Sequence, residues 1–142
     1  MSKVSDLLKN KGSDIWSIGP DASVFDAIKM MAEKGVGALV VTEGPKVVGI
    51  LSERDYARKV ILKGHSSRDT KISDIMTTQV VYADPEETIE ECMALMTDKH
   101  IRHLPIMSGE KLVGVISIGD LVKSIIADQK FTIQQLERYI IG

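Results

Sequence analysis

The chain has 142 residues, 44% hydrophobic and 27% charged, and its 18 basic and 20 acidic side chains leave a net charge of −2. This is ordinary composition for one globular domain, and it argues against a disordered, collagenous or disulfide-built chain. Cys92 is the lone cysteine, so an internal disulfide and a cysteine metal site are both excluded. There is no basic excess to suggest a nucleic-acid partner and no apolar run of the ~18 residues a membrane span needs. The first residues, Met-Ser-Lys-Val-Ser-Asp, lack the apolar stretch of a signal peptide, so a cytoplasmic protein is expected.

In chain order, Ile15–Ile18 is a short apolar run suited to a first strand, with Trp16 expected in the core beside it. Ser23-x-x-Asp26 has the form of a capping box, and Val24, Ala27, Ile28 and Met31 follow at helical spacing, with Gly35 suited to the C-terminus. Ala38–Val41 and Val47–Leu51 read as strands around the turn residues Glu43-Gly44-Pro45. A second helix is expected from about Ser52.

The same order then recurs. Val80–Ala83 reads as a strand, and Thr88-x-x-Glu91 opens a helix carrying Ile89, Cys92, Met93 and Met96. His100 stands where the first unit has Gly35 and is less comfortable at positive φ. Leu104–Met107 and Leu112–Ile116 flank Ser108-Gly109-Glu110, and another helix is expected from Ser117. A shift of 65 residues aligns Pro20–Ile61 with Pro85–Ile126 without a gap, and Pro20/Pro85, Met31/Met96, Leu39/Leu104, Gly49/Gly114, Ser52/Ser117 and Asp55/Asp120 are among the identical pairs. Upstream, Lys3–Leu8 mirrors Lys71–Met76. The methionines at helical spacing, Met30 included, are expected to pack in the cores.

Each unit offers a small sheet with an apolar face that it cannot cover alone. The fold class expected is α+β: two β-α-β-β-α repeats packed face to face around a pseudo-twofold axis, plus a C-terminal helix. The division expected is a first repeat over 1–66, a second over 67–128 and a helical tail over 129–142. In the tail, Thr132-x-x-Gln135 reads as a capping box and Phe131 with Leu136 as a hydrophobic staple. Ile133, Leu136 and Ile140 fall along one side, a stripe that needs either its own body or a second chain to pack on.

The repeated motifs Gly49-Ile-Leu-Ser52-Glu-Arg-Asp55 and Gly114-Val-Ile-Ser117-Ile-Gly-Asp120 both lead from strand to helix. Ser-x-x-Asp can be a capping box and nothing more. Alternatively, a helix start with a hydroxyl favours phosphate, and a carboxylate can accept two hydrogen bonds from a ribose diol. Arg54 is either a phosphate contact or a surface partner of Glu53 or Glu33. Basic residues crowd the joint between the units (Arg54, Arg58, Lys59, Lys63, Arg68, Lys71), and acidic ones crowd Asp84–Asp98. These are either solvated faces or surfaces that attract another chain. His65, His100 and His103 lack zinc-site partners, and no dinucleotide fingerprint, Walker A motif or catalytic set is visible.

With its two Gly-h-x-Ser-x-x-Asp motifs (h, apolar), His100-Ile101-Arg102-His103-Leu104-Pro105 and Gly35-Val36-Gly37-Ala38-Leu39, the chain resembles a tandem pair of cystathionine-β-synthase-type (CBS) domains, a Bateman module, from about Val4 to Ala127. The resemblance implies a non-catalytic regulatory module that binds AMP, ADP, ATP, NAD or S-adenosylmethionine in clefts between the repeats, with no catalytic cofactor. It implies that Asp55 and Asp120 hold ribose hydroxyls and that Ser52 and Ser117 contact ribose or phosphate. Asp55 would work with Tyr82 and Ala83, and Asp120 with Ile18, Gly37 and Ala38, whose backbones read adenine; Arg102 and His103 would reach phosphates. It also implies a homodimer, and any output would act through an effector protein or through assembly. The halves differ, with Gly37 and Ala38 against Arg102 and His103, and Arg54 against Gly119, so unequal sites are expected. Two other readings compete: a structural dimerisation module whose sites are degenerate, and a small nucleotide hydrolase, for which no general base is visible.

Overall fold

The structure, a computed structural model, describes residues 2–12 and 14–141. These fall into two compact units. The first-repeat unit holds residues 14–82 with 110–112, and the second-repeat unit holds 2–12, 83–109 and 113–141.

In the first-repeat unit, β1 (Ser17–Ile18) lies parallel to β2 (Ala38–Glu43), which lies antiparallel to β3 (Lys46–Ser52). Helix α2 (Val24–Lys34) starts where the Ser23 hydroxyl accepts the Asp26 N–H at 3.1 Å. It ends at Gly35, left-handed at φ 66°. A short α3 (Glu53–Tyr56) passes into a π-helical turn over Ala57–Ile61, and α4 (Ile72–Ile75) follows. Val24, Ala27, Met31, Leu39, Val41, Leu51, Val60, Ile72 and Ile75 form one buried cluster.

The second-repeat unit contains α1 (Val4–Lys11), α5 (Ile89–Lys99), the hairpin strand β4 (His103–Ser108), its partner β5 (Lys111–Ser117) from Val113 onward, and α6 (Ile118–Ile141). The repeat-related partners of most of the first cluster, Ile89, Cys92, Met96, Leu104, Ile106 and Ile116, are buried here too, together with Leu121. The duplicated apolar pattern therefore builds the same core twice. Helix α5 has a complete capping box, in which Thr88 Oγ1 accepts from Glu91 N at 3.1 Å while Glu91 accepts from Thr88 N at 3.1 Å. His100 takes the left-handed position at φ 55°, the only non-glycine with positive φ among the described residues.

The short segments ahead of each repeat close these cores. In α4, Ile72 N donates to Ala22 O and Ser73 N to Pro20 O, at 3.0 and 2.9 Å. In α1, Val4 N donates to Glu87 O and Ser5 N to Pro85 O, both at 2.9 Å. Ala22 and Glu87, and Pro20 and Pro85, are related by the same 65-residue shift. Thus α4, which precedes the second repeat in the chain, completes the first, and α1 completes the second. Val4 and Leu7 are buried in the second-repeat unit as Ile72 and Ile75 are in the first.

Four expectations are corrected. The strand expected at Ile15–Ile18 shortens to Ser17–Ile18. The one expected at Val80–Ala83 reduces to a single bridge between Ala83 and Ile106. Its physical reason is Pro105: in the first repeat Val40 N donates to Trp16 O at 3.4 Å, and proline at the related position has no N–H to give. Trp16 is not a core residue; it is 36% exposed, with Lys34 Nζ 4.4 Å from its ring centroid. The tail has no separate start, because α6 runs unbroken through it. With no Gly or Pro between Ala127 and Phe131 to stop the helix, Thr132 lies mid-helix and donates its hydroxyl to Asp128 O at 3.0 Å, and Phe131 is exposed.

Candidate ligand-binding motifs

The two Ser-x-x-Asp motifs sit at strand-to-helix corners. At the first, Ser52 N donates to Asp55 Oδ2 at 3.0 Å, Ser52 Oγ lies 3.1 Å from the same oxygen, and Asp55 N donates to Ser52 Oγ at 3.2 Å. At the second, Ser117 N donates to Asp120 Oδ2 at 2.8 Å and Asp120 N to Ser117 Oγ at 3.2 Å. The capping geometry is therefore present in both repeats. The corners are held to their neighbouring strands in matching ways, with Glu53 N donating to Gly37 O at 3.0 Å and Ile118 N to Arg102 O at 2.9 Å.

Each carboxylate also meets a lysine, from a different source in each unit. Lys59, one turn along the same helix, lies 3.3 Å from Asp55 Oδ1 and donates to Ile75 O at 2.9 Å. Lys11, from α1, donates to Asp120 Oδ2 and to Val115 O. In the sequence Lys59 stands out only as part of a basic cluster, although its i, i+4 spacing from Asp55 is a usable signal. Lys11 carries no such signal, because nothing local links residues 109 positions apart.

Burial, the largest single influence on Asp120, pushes its carboxyl upward, but the Lys11 hydrogen bond, the Ser117 bonds and the Lys11 charge together hold it below its ordinary value. Among the described residues Asp120 Oδ1 has no hydrogen-bond partner, and the side chain keeps 20% of its exposure. A cavity of about 330 Å³ opens here, lined by Asp6, Asn10, Lys11, Asp120, Lys123 and Ser124 among others.

The remaining expected site residues divide between the units. Ile18, Gly37, Ala38, Arg54 and Tyr82 belong with Ser52 and Asp55; Ala83, Arg102 and His103 belong with Ser117 and Asp120. Ala38 pairs in register with Ser52. Tyr82 is exposed and Ala83 buried, and Arg54 and His103 both have interaction partners. Among the described residues no group of three or more His, Cys, Asp or Glu could hold a metal ion. No described helix is long and apolar enough to cross a membrane.

Two copies of one β-α-β-β-α unit, each with a Ser-x-x-Asp corner, define a tandem CBS pair. The CBS domain family model matches residues 4–62 and 72–127, and the chain belongs to that family. It is 40% identical over 149 residues to the Arabidopsis thaliana protein named CBS domain-containing protein CBSX3, mitochondrial, an alignment covering 98% of this chain and 72% of the relative. A CBS-domain protein from Burkholderia ambifaria is 52% identical with a TM-score of 0.87, covering 90% of this chain and 96% of that one. The CBS domain pair of protein MJ0100, solved with 5′-methylthioadenosine and S-adenosyl-L-methionine, shares the fold at 21% identity and a TM-score of 0.79, covering 90% and 98% of the two chains.

Proposed function

We propose that this CBS pair is a non-catalytic, cytoplasmic regulatory module that binds an adenosine compound (AMP, ADP, ATP, NAD or S-adenosylmethionine) and acts on an effector protein as a homodimer. The observation that carries this reading is the Ser117–Asp120 corner: a carboxylate with one oxygen unbonded among the described residues, facing a cavity that also presents Lys11 and Lys123. A carboxylate offers about four lone-pair sites, so the capping bonds and the lysine leave capacity for ribose hydroxyls. Cavities of about 300–1,000 Å³ hold small molecules. Asp55 and Asp120 take the ribose, and Ser52 and Ser117 the ribose or phosphate. Arg54, Arg102 and His103 serve phosphate, and the backbones at Ile18, Gly37, Ala38, Tyr82 and Ala83 serve adenine. The adenosine ligands of the MJ0100 pair support the choice of class.

The structural-module reading is favoured by the capping boxes, which account for both Ser-Asp pairs without a ligand. Thermal melting in millimolar AMP, ATP, NAD and S-adenosylmethionine separates the two. Binding to the folded state adds about 2.7 kcal/mol of stability at 100 times Kd, and Asp120→Ala and Asp55→Ala should each weaken one site. Melting that no compound moves would leave the structural reading standing.

A further inference from the structure

We propose that the outer half of α6 is a self-association surface that pairs antiparallel with α6 of a second copy of this chain. This deepens the homodimer part of the proposed function by naming its surface. Every residue of α6 from Ile126 to Ile140 is exposed. Helices shorter than ~12–15 residues are marginal on their own in water, so this stretch is best held by packing on something. Val122, Ile126, Gln129, Ile133, Leu136 and Ile140 fall at alternating spacings of four and three, the seam of a coiled coil, and its apolar members are 43–81% exposed.

The charges beside the seam select the occupant. Lys130 and Glu137 hold the same flanking position one heptad apart. In an antiparallel pair these positions face each other across the two helices, so Lys130 of each copy meets Glu137 of the other, twice by symmetry. In a parallel pair Lys130 would face Ile125, and Glu137 would face Thr132. The surface is thus complementary to itself in one orientation. A lipid surface suits it poorly: α6 carries Lys123, Lys130 and Arg138 against Asp120, Asp128 and Glu137, whereas interfacial helices are rich in Lys and Arg.

Light scattering on the full chain tests this. The wild type should be at least a dimer, and Ile133→Glu with Leu136→Glu should halve the mass while circular dichroism keeps the fold. Lys130→Glu and Glu137→Lys, each alone, should weaken association by at least about tenfold, and a mixture of the two single variants should recover it, because opposite charges then meet at both positions. A mass unchanged in the Ile133→Glu, Leu136→Glu variant, or a mixture that fails to recover, overturns the surface and leaves a homodimer through another face. A monomeric wild type overturns both, and neither result bears on ligand binding.

Discussion

Asp55 and Asp120 solve one problem with different lysines. Each must balance a half-buried carboxylate at a helix start; Lys59 does so from the same helix, and Lys11 from α1. Because Asp120 is held below its ordinary value, its contribution to stability is complete above the unfolded carboxyl range near ~3.9 and is lost as pH falls through the folded value. Lys11→Met should therefore destabilise the chain most near neutrality, and the gap from wild type should narrow in acid denaturation series as pH falls; a gap constant from neutral to acid would contradict this. Cys92 gives a second check. Burial first, then the charges of Glu87 and Glu91, push its thiol up to about 11. At pH 8 it should react with a thiol reagent only after unfolding, and rapid labelling of the folded chain would contradict its placement. The Ser and Asp positions were visible in the sequence because the duplication repeats them in register. The Lys11 contact was not, because it depends on which core α1 closes.

Among the elements, the repeated glycines report how α1 and α4 dock. A Cβ at Gly49 would lie 2.6 Å from Met76 Sδ and 3.0 Å from Thr77 O, and one at Gly114 would lie 2.7 Å from Leu8 Cδ2. Leu8 and Met76 occupy matching places in the mirrored upstream segments, so the strand of each repeat is kept bare for its closing segment. Gly49→Ala should lower stability by about 1–3 kcal/mol, the usual cost of overpacking, because the Thr77 carbonyl is backbone and cannot swing aside as a side-chain end can; the readout is a lower melting temperature. Unchanged melting would mean that the segment carrying Met76 and Thr77 is not seated as described. Strand, helix and turn order were legible because period, caps and turn residues agreed in both copies. The lost strand at Val80–Ala83 follows from Pro105, whose missing N–H matters only once the parallel pairing is known. The unbroken α6 shows the limit of a local cap signal: Thr132-x-x-Gln135 fits a helix start, but no residue before it ends the preceding helix.

For the whole molecule, duplication decides the architecture. The core of each unit uses repeat-related residues, and each is closed by the segment that precedes the other repeat in the chain. That exchange could not be read from sequence, since Lys3–Leu8 and Lys71–Met76 look alike and either could close either core. Family membership rests on the paired motifs and the matched model; function rests on whether the aspartate corners accept a sugar. Calorimetric titration of adenosine nucleotides, NAD and S-adenosylmethionine into the wild-type chain and into Asp55→Ala, Asp120→Ala variants is the most direct measurement. Saturable heat with at least one compound, reduced in one or both variants, is the predicted result; no binding by the wild type, or binding that survives both substitutions together unchanged, would contradict it.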